Sequence, residues 1–532
     1  MIKINPYTYI NRLGILFFFT VIPSFNFAQQ ISYDESFAES GKLLLDDGGS
    51  QISILQENSE GDIFTFGTYE EEEKSYIIIH KLDKDGHAIQ NFGQNGQLQK
   101  LLPANFFTIN SSLTTENSEM FLSGVIGFPE NKTYFAIIKI SPEGMIDESF
   151  GTDGYFVDSS QLSSFSTKIL SYGAGKLLII RTDGSDESNI KLQCLNSNGN
   201  LDTSYGNNGS ILVSPPTPYV KLNFDDAVLD GANNLFLLTK AHNKFSEHDF
   251  ILYKLNNLGE VDNSFNNQGF KVIDIGSFEA GSALILTKRN KLIISGQTSY
   301  YVSSIKMYKN KMIVRGFNID GTTDQNFGNK GSIEYLPDNA GNLTPYSIKE
   351  INDNTLIINA LNIVNFTSSN IIHTLINNTG AKIVMNNGDL YFSENFQNAN
   401  SFINNESQDS KGRILSFGRS YSTGVSNSFL CRLLIDTFSS YDQNSDLKNK
   451  LEIVPNVVTN NCFLKYQLFS DGVISLYLLS ADGKSIKNIF PSQPYKSGSY
   501  QLDIDTTNLD KGVYFCKLVT TNGITGAKFI KL

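Results

Sequence analysis

The stretch Asp147-Glu148-Ser149-Phe150-Gly151-Thr152-Asp153-Gly154 returns along the chain at nearly even spacing. Close copies run from Asp202 to Gly209 with Tyr205 in the aromatic place, from Asp262 to Gly269 with Phe265, and from Asp324 to Gly331 with Phe327. A looser copy carries Asp34, Phe37 and Gly41. Another carries Phe92 and Gly96 with Ile89 in place of the aspartate, and a worn one ends at Gly388. The closing glycines lie 55, 58, 55, 60, 62 and 57 residues apart, as in 154 − 96 = 58. A fixed period of that size is the mark of a repeat architecture.

Each part of the stretch has a physical reason to recur. Aspartate at its head accepts hydrogen bonds from amides two residues on, as in an Asx-turn. The aromatic ring is expected to pack between neighbouring sheets, burying roughly 150–250 Å². Glycine permits positive φ, and asparagine tolerates it, which accounts for Asn207-Asn208 and Asn266-Asn267. Oxygen-bearing side chains at alternating positions also resemble a hard-cation loop, but the acidic set is sparse and Ile89 removes the acid from one copy. The structural reading is therefore preferred to calcium.

Between turns the chain is strand-like. Gln97 to Leu102, Phe106 to Leu113, Met120 to Ile126 and Tyr134 to Ile140 are short runs rich in Ile, Leu, Phe and Tyr, bounded by Gly, Asn and Asp. About four strands per interval is the content of one propeller blade, and radial packing covers the edges and faces of such small sheets. Past Gly388 the strands Ser401 to Glu406, Arg413 to Gly418 and Ser428 to Leu434 leave a last blade one strand short. Lys42 to Leu45, which follows the first turn copy, is predicted to complete it. The expectation is an all-β fold, a seven-bladed β-propeller over residues 29–436 closed by the N-terminal strand. An open solenoid would need polar caps, and the sequence has none.

The whole chain has 532 residues, 40% hydrophobic and 18% charged, the composition of a globular array and too long for one core. A net charge of −12 repels phosphate backbones, so no nucleic-acid partner is expected. The run Glu70 to Glu73 reads as a solvated hairpin tip. Lys3 and Arg12, an apolar run from Leu13 to Ile22 and Ala28 before Gln29 read as a signal peptide over residues 1–28. No later stretch has the length of a membrane span, so the mature chain is expected to carry no transmembrane segment. Residues 437–450 are polar and read as a linker. Residues 451–532 hold several short alternating strands and predict a small β-sandwich. Cys194 and Cys431 read as buried hydrophobes. Cys462 and Cys516 share the last segment, where a bridge stays open in an exported protein.

The run Gly144 to Gly154, and with substitutions Gly199 to Gly209 and Gly321 to Gly331, resembles the delta-60 repeat of bacterial exported proteins. That resemblance covers most of residues 30–435 and implies a propeller-like array without an assigned activity. The last segment is similar to the C-terminal sorting domain of type IX secretion in Bacteroidetes-type bacteria. The similarity rests on Pro455-Asn456, the turn Asp482-Gly483-Lys484, Gly512-Val513-Tyr514 and the end Lys528-Phe529-Ile530-Lys531-Leu532. Val457 stands where that family usually has a second proline. The resemblance implies passage through the outer membrane by a translocon that reads this domain, followed by release or surface attachment.

Nothing in the sequence marks catalytic, cofactor or metal residues. His242 and His248, with Glu247 and Asp249, lack the i, i+4 spacing of a zinc helix and read as a solvated loop. There is no nucleophile elbow and no phosphate-cradling glycine loop. No cofactor is expected. The leading expectation is a non-catalytic exported binding module for an extracellular or surface ligand, with the site at one end of the ring. The alternatives are a hydrolase or lyase on the same scaffold and a structural adhesin or spacer.

Overall fold

The structure is a computed structural model that describes residues 30–436 and 450–532, apart from 46–50, 72–73, 116, 129–131, 162–165, 174, 184–187, 246–247, 275–278, 304–306, 336–340, 366–367, 384–391, 395–399, 410–411, 423–424, 469–470, 481–484 and 521–522. The expected signal peptide, the turn at Gly388, the linker up to residue 449, Glu247 and the turn Asp482-Gly483-Lys484 lie outside the described residues.

The chain opens with β1 (Gln30–Tyr33) and β2 (Lys42–Leu45). Sheet 1 then holds β3 (Gln51–Glu57), β4 (Ile63–Glu71), β5 (Lys74–Leu82) and β6 (Gln97–Leu101). Sheet 2 holds β7 (Phe106–Thr114), β8 (Met120–Phe128), β9 (Lys132–Ile140) and β10 (Tyr155–Gln161). Sheet 3 holds β11 (Thr167–Tyr172), β12 (Lys176–Thr182), β13 (Ile190–Leu195) and β14 (Ser210–Val213). Sheet 4 holds β15 (Tyr219–Leu229), β16 (Leu235–Asn243), β17 (His248–Leu255) and β18 (Phe270–Ile273). Sheet 5 holds β19 (Glu279–Leu286), β20 (Lys291–Val302), β21 (Met307–Asn318) and β22 (Ser332–Tyr335). Sheet 6 holds β23 (Asn342–Asn352), β24 (Thr355–Asn365), β25 (Ser368–Asn377) and β26 (Phe392–Glu394). Sheet 7 holds β27 (Asn400–Gln408), β28 (Ile414–Ser422) and β29 (Val425–Asp436) together with β1 and β2.

Every pairing within these sheets is antiparallel and, apart from β1 and β2 on β29, joins strands in chain order. Neighbouring sheets touch chiefly through their first strands, β3 on β7, β7 on β11, β11 on β15, β15 on β19 and β19 on β23. From there β25 meets β27, and β27 meets β3. Small all-β sheets following one another in this way are propeller-like. The core lies between sheets, where Phe121, Phe135 and Phe150 of sheet 2 pack with Ile169, Leu177 and Leu195 of sheet 3.

Sheet 7 is assembled from both ends of the array. Leu43 pairs with Leu430 and Leu44 with Phe429. The sequence pointed to this one N-terminal strand, yet the structure has two, because Ile31 pairs with Ile435 and Tyr33 with Leu433 on the same strand. In the other sheets a tight turn brings the chain back to the third strand, as at Ile140 with Ile146 and Leu255 with Val261. β1 takes the place of that return, so a short strand with no turn of its own went unread.

The repeated stretch turns out to be a joint. Its aromatic ring lies against a glycine in the next sheet, Phe92 against Gly144, Phe150 against Gly199 and Phe265 against Gly321. The residue after the ring donates its amide across the same seam, Gly151 to Asn198 O at 2.7 Å, Asn266 to Asp320 O at 2.8 Å and Gly328 to Thr379 O at 2.7 Å. Gly199 has φ +78°, and a Cβ there would stand 2.7 Å from the amide nitrogen of Gly151 and 3.0 Å from the Phe150 ring. Gly199→Ala is therefore expected to lower the stability of the protein by about 1–3 kcal/mol in urea denaturation. Gly231→Ala, where nothing lies within 4 Å of the added carbon, is expected to change it by less than about 0.5 kcal/mol.

The C-terminal part has strands β30 (Lys450–Val454), β31 (Val457–Val458), β32 (Asn461–Leu468), β33 (Gly472–Ser480), β34 (Ser485–Tyr495), β35 (Gly498–Asp505), β36 (Gly512–Thr520) and β37 (Gly523–Lys531). They form a three-stranded sheet β30-β32-β35 and a five-stranded sheet β31-β37-β36-β33-β34. Leu464 and Ile504 of the first share a buried cluster with Leu476, Leu518 and Phe529 of the second. β34 was not anticipated because Pro491 and Pro494 argue against a strand. It lies at the sheet edge, where a missing amide donor is tolerated. Cys462 and Cys516 are both buried free thiols, so the bridge left open above is not formed.

Candidate functional site at the hairpin end and the inner strands

Antiparallel order sorts the connections. Links from first to second strand and from third to fourth leave one end of the array, and the hairpins between second and third strands leave the other. The repeated turns all belong to the first end. Their aspartates are consumed in local bonds. Asp147 Oδ1 accepts from the Ser149 amide at 3.1 Å and hydroxyl at 2.6 Å, while Oδ2 meets Lys139 Nζ at 2.8 Å. Lys139 and then Ser149 hold that carboxyl down at about 2. Asp202 is held at about 2 by Lys176 and Ser204, and burial of Asp34 is outweighed by Ser36 and Arg432, so it too lies below the usual range. Lys254 meets Asp262 at 2.8 Å and Lys291 meets Asp324 at 2.8 Å. An ammonium group thus takes the carboxylate oxygen that a calcium loop would need.

These cations were missed, although the repeats themselves contain the signal. The partner stands either next to last in the third strand, as Lys139 and Lys254, with Arg432 at the equivalent register of the longer β29, or at the start of the second, as Lys176 and Lys291, with Arg413 just before β28. Where Ile89 replaces the aspartate, Lys81 instead pairs with Asp62 at 3.1 Å, at the second-strand position. Where the sixth sheet has Ile383, the two partner positions are Thr355 and Leu375. Reading the repeats against one another shows an acid and a base gained or lost together, as burial of charge requires.

The other end is not repeated. Among the described residues, four hairpins carry an aromatic or imidazole pair near their tips. Tyr69 and Tyr76 have ring centroids 6.3 Å apart, Phe128 and Tyr134 6.1 Å, His242 and His248 4.2 Å, and Tyr301 and Tyr308 5.3 Å. His242 and His248 are not in a loop as expected. They are cross-strand partners at the ends of β16 and β17. Burial, followed by His248 and Lys240, lowers His242 to about 4, so the ring is neutral at pH 7. No cluster of three metal-ligating side chains occurs among the described residues. Phe245, at the same tip, is 85% exposed, and Tyr308 is 64% exposed.

The first strands carry a second feature that sequence reading missed. Six of the seven, β3, β7, β15, β19, β23 and β27, have a bulge among the described residues, at Ile52/Ile54, Ile109/Ser111, Phe224/Asp226, Gly281/Ala283, Pro345/Ser347 and Ile403/Asn405. A bulge inserts one residue and re-aims its neighbours. Polar side chains beside these bulges bond between sheets. Lys168 meets Asp226 at 2.5 Å, the Leu284 amide donates to Asp226 Oδ2 at 2.7 Å, and the Ser347 hydroxyl donates to Glu406 at 2.7 Å. Beside this network Lys349 makes no ion pair among the described residues. Burial, opposed by Glu406, draws its ammonium below the usual lysine range. Asp225 Oδ2 has no hydrogen-bond partner among the described residues. Burial raises this carboxyl to about 8, with Lys240 opposing.

Asp225 therefore stays protonated in the folded chain over a range where the unfolded chain has lost the proton. The stability this brings is complete below the unfolded value near 3.8 and falls as pH rises towards 8. Asp225→Asn removes the decline. It is expected to raise stability at pH 8 by about 1–3 kcal/mol and to leave it unchanged at pH 4, as read by denaturant unfolding at the two pH values.

In the C-terminal part Asn456 O accepts from the Ile530 amide at 2.8 Å, and Val458 O from Leu532 at 2.9 Å. Pro455-Asn456 carries the chain from β30 in one sheet to β31 in the other. Tyr514 stacks on Phe529 at 5.5 Å and donates to Asp510 O at 2.8 Å. Lys531 donates to Thr459 O. Gly512 pairs with Lys531, and Lys528 with Phe515.

Residues 452–532 match the family described as the secretion system C-terminal sorting domain. This segment is a type IX sorting domain, and the protein is an exported one, secreted or attached to the outer-membrane surface. No helix among the described residues is long and apolar enough to cross a membrane. No curated protein sequence matches the chain. Among solved structures the chain is similar to the polysaccharide lyase Uly1, at 8% identity and TM-score 0.42 over 72% of this chain and 90% of that one. It is also similar to a PL25 ulvan lyase bound to -[GlcA(1-4)Rha3S]-, at 9% identity and TM-score 0.39 over 62% and 79%. A third is the GH93 alpha-L-arabinofuranosidase of Fusarium graminearum with arabinobiose, at 10% identity and TM-score 0.37 over 61% and 92%.

Proposed function

We propose that residues 29–436 are a seven-bladed β-propeller closed by β1 and β2, and that this ring is an extracellular binding module. In this reading residues 451–532 address it to the type IX translocon after a signal peptide over residues 1–28 has taken it across the inner membrane. Seven sheets whose contacts run from one to the next and back support the ring. The binding role rests on one observation, the division of labour between the two ends. One end spends its side chains on recurring joints, while the other exposes aromatic side chains that do not recur. Side chains that vary over a repeating scaffold are the ones free to serve recognition.

The test is a binding screen of the mature protein against cell-envelope glycans and culture polysaccharides. A ligand whose affinity falls at least tenfold on substituting hairpin-end aromatics, but not on substituting exposed residues of the turn end, is the expected result. A ligand lost only through turn-end substitutions would sink the reading. Catalysis on the same scaffold is the second reading, favoured by Asp225 and Lys349. A carboxyl that holds its proton near neutral pH, and separately a lysine with a weakened hold on its own among Glu406, Lys168 and Asp226, are the kinds of group that acid and base work requires. It predicts slow depolymerisation of a bound polysaccharide that Asp225→Asn abolishes.

A further inference from the structure

We infer that the middle of the ring holds a binding site for a small monocarboxylate, anchored by the ammonium of Lys349. The inference rests on the ring reading and adds a site in its interior, away from the exposed hairpin tips. Four charged side chains come together there from four sheets. Lys168 belongs to sheet 3, Asp226 to sheet 4, Lys349 to sheet 6 and Glu406 to sheet 7, and Lys349 lies within electrostatic reach of the other three. Sheets 3 and 6 are not neighbours in the series. Their side chains can approach one another only where the first strands converge on the axis.

Both acids of the group are already committed elsewhere. Asp226 Oδ1 meets Lys168 at 2.5 Å and accepts from the Ala227 amide at 2.8 Å, while Oδ2 accepts from the Leu284 amide at 2.7 Å. Glu406 Oε2 accepts from the Ser347 hydroxyl at 2.7 Å and from Asn359, and Oε1 accepts from the Ser416 hydroxyl at 3.3 Å. Lys349 follows Ser347 on the same face of β23 by strand alternation, and Ile348 between them is buried in the opposite direction, in the core shared with sheet 5. No ion pair or side-chain hydrogen bond reaches Lys349 among the described residues, yet the side chain is not sealed off and keeps partial access. An enclosed cation without a counter-ion costs several kcal/mol unless it loses its proton or gains an anion. Burial already draws this ammonium below the usual lysine range, and an anion from outside would restore its charge.

The charges set the ligand class. Two lysines and two carboxylates cancel, so one added negative charge beside Lys349 is accommodated. A dianion such as phosphate or sulfate would bring its second charge against Glu406 and Asp226. A single ammonium is also a point charge and lacks the guanidinium fork that cradles phosphate. A carboxylate answers it with short, charge-assisted hydrogen bonds, which a halide does not match. Lys349 stands close to the end of β23 that pairs Asn352 with Thr355, so it is nearer the turn-end mouth than the end that carries Tyr301 and Tyr308.

The experiment follows carbamylation of Lys349 by cyanate in the mature full-length protein, read by peptide mass spectrometry, alone and with acetate, chloride or phosphate at matched ionic strength. Acetate is expected to slow the reaction at Lys349 severalfold and to leave exposed lysines unchanged, since an occupied amine is protected in proportion to occupancy. Calorimetric titration with acetate is expected to lose about tenfold or more in affinity on Lys349→Met, which removes an enclosed charge at similar length and should fold as the parent does. The cyanate measurement needs no variant and decides the question even if Lys349→Met fails to fold. Equal protection by chloride, or stronger protection by phosphate, overturns the carboxylate class. A reaction at Lys349 that no anion alters, or no reaction there at all, overturns the site. Glycan binding that hairpin-end aromatics control and Lys349→Met leaves intact keeps the binding-module reading standing in either case, so the two readings fail separately.

Discussion

Asp34→Ala is expected to cost about 3–5 kcal/mol of stability, the range for stripping one partner from a buried ion pair. Asp34 is buried and meets Arg432 at 2.8 Å and Arg413 at 3.1 Å, while the Arg432 guanidinium, 3% exposed, lies 4.6 Å from the Phe37 ring centroid. Removal of the carboxylate leaves the buried Arg432 with only a longer contact to the more exposed Asp85, at 3.7 Å. The position matters as much as the chemistry. Asp262, in an equivalent turn, clamps residues of one continuous stretch, and its pair with Lys254 is more exposed. Asp262→Ala is expected to cost about 1 kcal/mol or less. Residues 34 and 432 are close in space only while the two ends of the array are held together, so no covalent connection nearby holds that seam. Urea denaturation and limited proteolysis of the two variants give the comparison, and equal losses would show that the seam is no weaker than any other joint. Asp34 lies below its unfolded value, so its contribution is present above about pH 4 and is lost as pH falls through the folded value. Acid should therefore loosen wild type more than Asp34→Ala.

Truncation after Asp446 is expected to reduce outer-membrane passage at least tenfold, with the propeller-like part retained in the periplasm as folded protein. This follows from the sorting domain at residues 452–532. A sharper version removes residues 526–532 alone. β37 is not a dangling tail. It runs between β31 and β36 and carries Phe529, which is fully buried. Its loss takes away the partner of β31, leaves one edge of β36 unpaired and opens the shared core, so the short truncation should block export as completely as the long one. Fractionation of periplasm, cell surface and medium with an antibody to the array reads both. Normal export of the short form would mean that the translocon reads a linear segment upstream of β37 and not the folded sheet.

The charge pattern shows where a single sequence is enough and where it is not. Period, strand content and the aspartate-aromatic-glycine order are local properties, and they sufficed for a string of four-stranded sheets and for adding Lys42 to Leu45 to the last of them. The repeats could also have disclosed the clamp cations, because Ile89 with Asp62 and Cys194 with Lys176 are compensations visible once the copies are compared position by position.

By itself the sequence determined the repeat, the all-β character, the last strand borrowed from the N-terminus and the sorting signal, since each depends on residues near one another or on a motif. Only the tertiary structure decided that the repeated turn is a joint to the next sheet, that β1 accompanies β2, that bulges gather Lys168, Asp226, Lys349 and Glu406 from different sheets, and that tyrosines 301 and 308 face solvent. These depend on which faces meet across a seam, and burial of a side chain is a property of its neighbours in space, not of its neighbours along the chain.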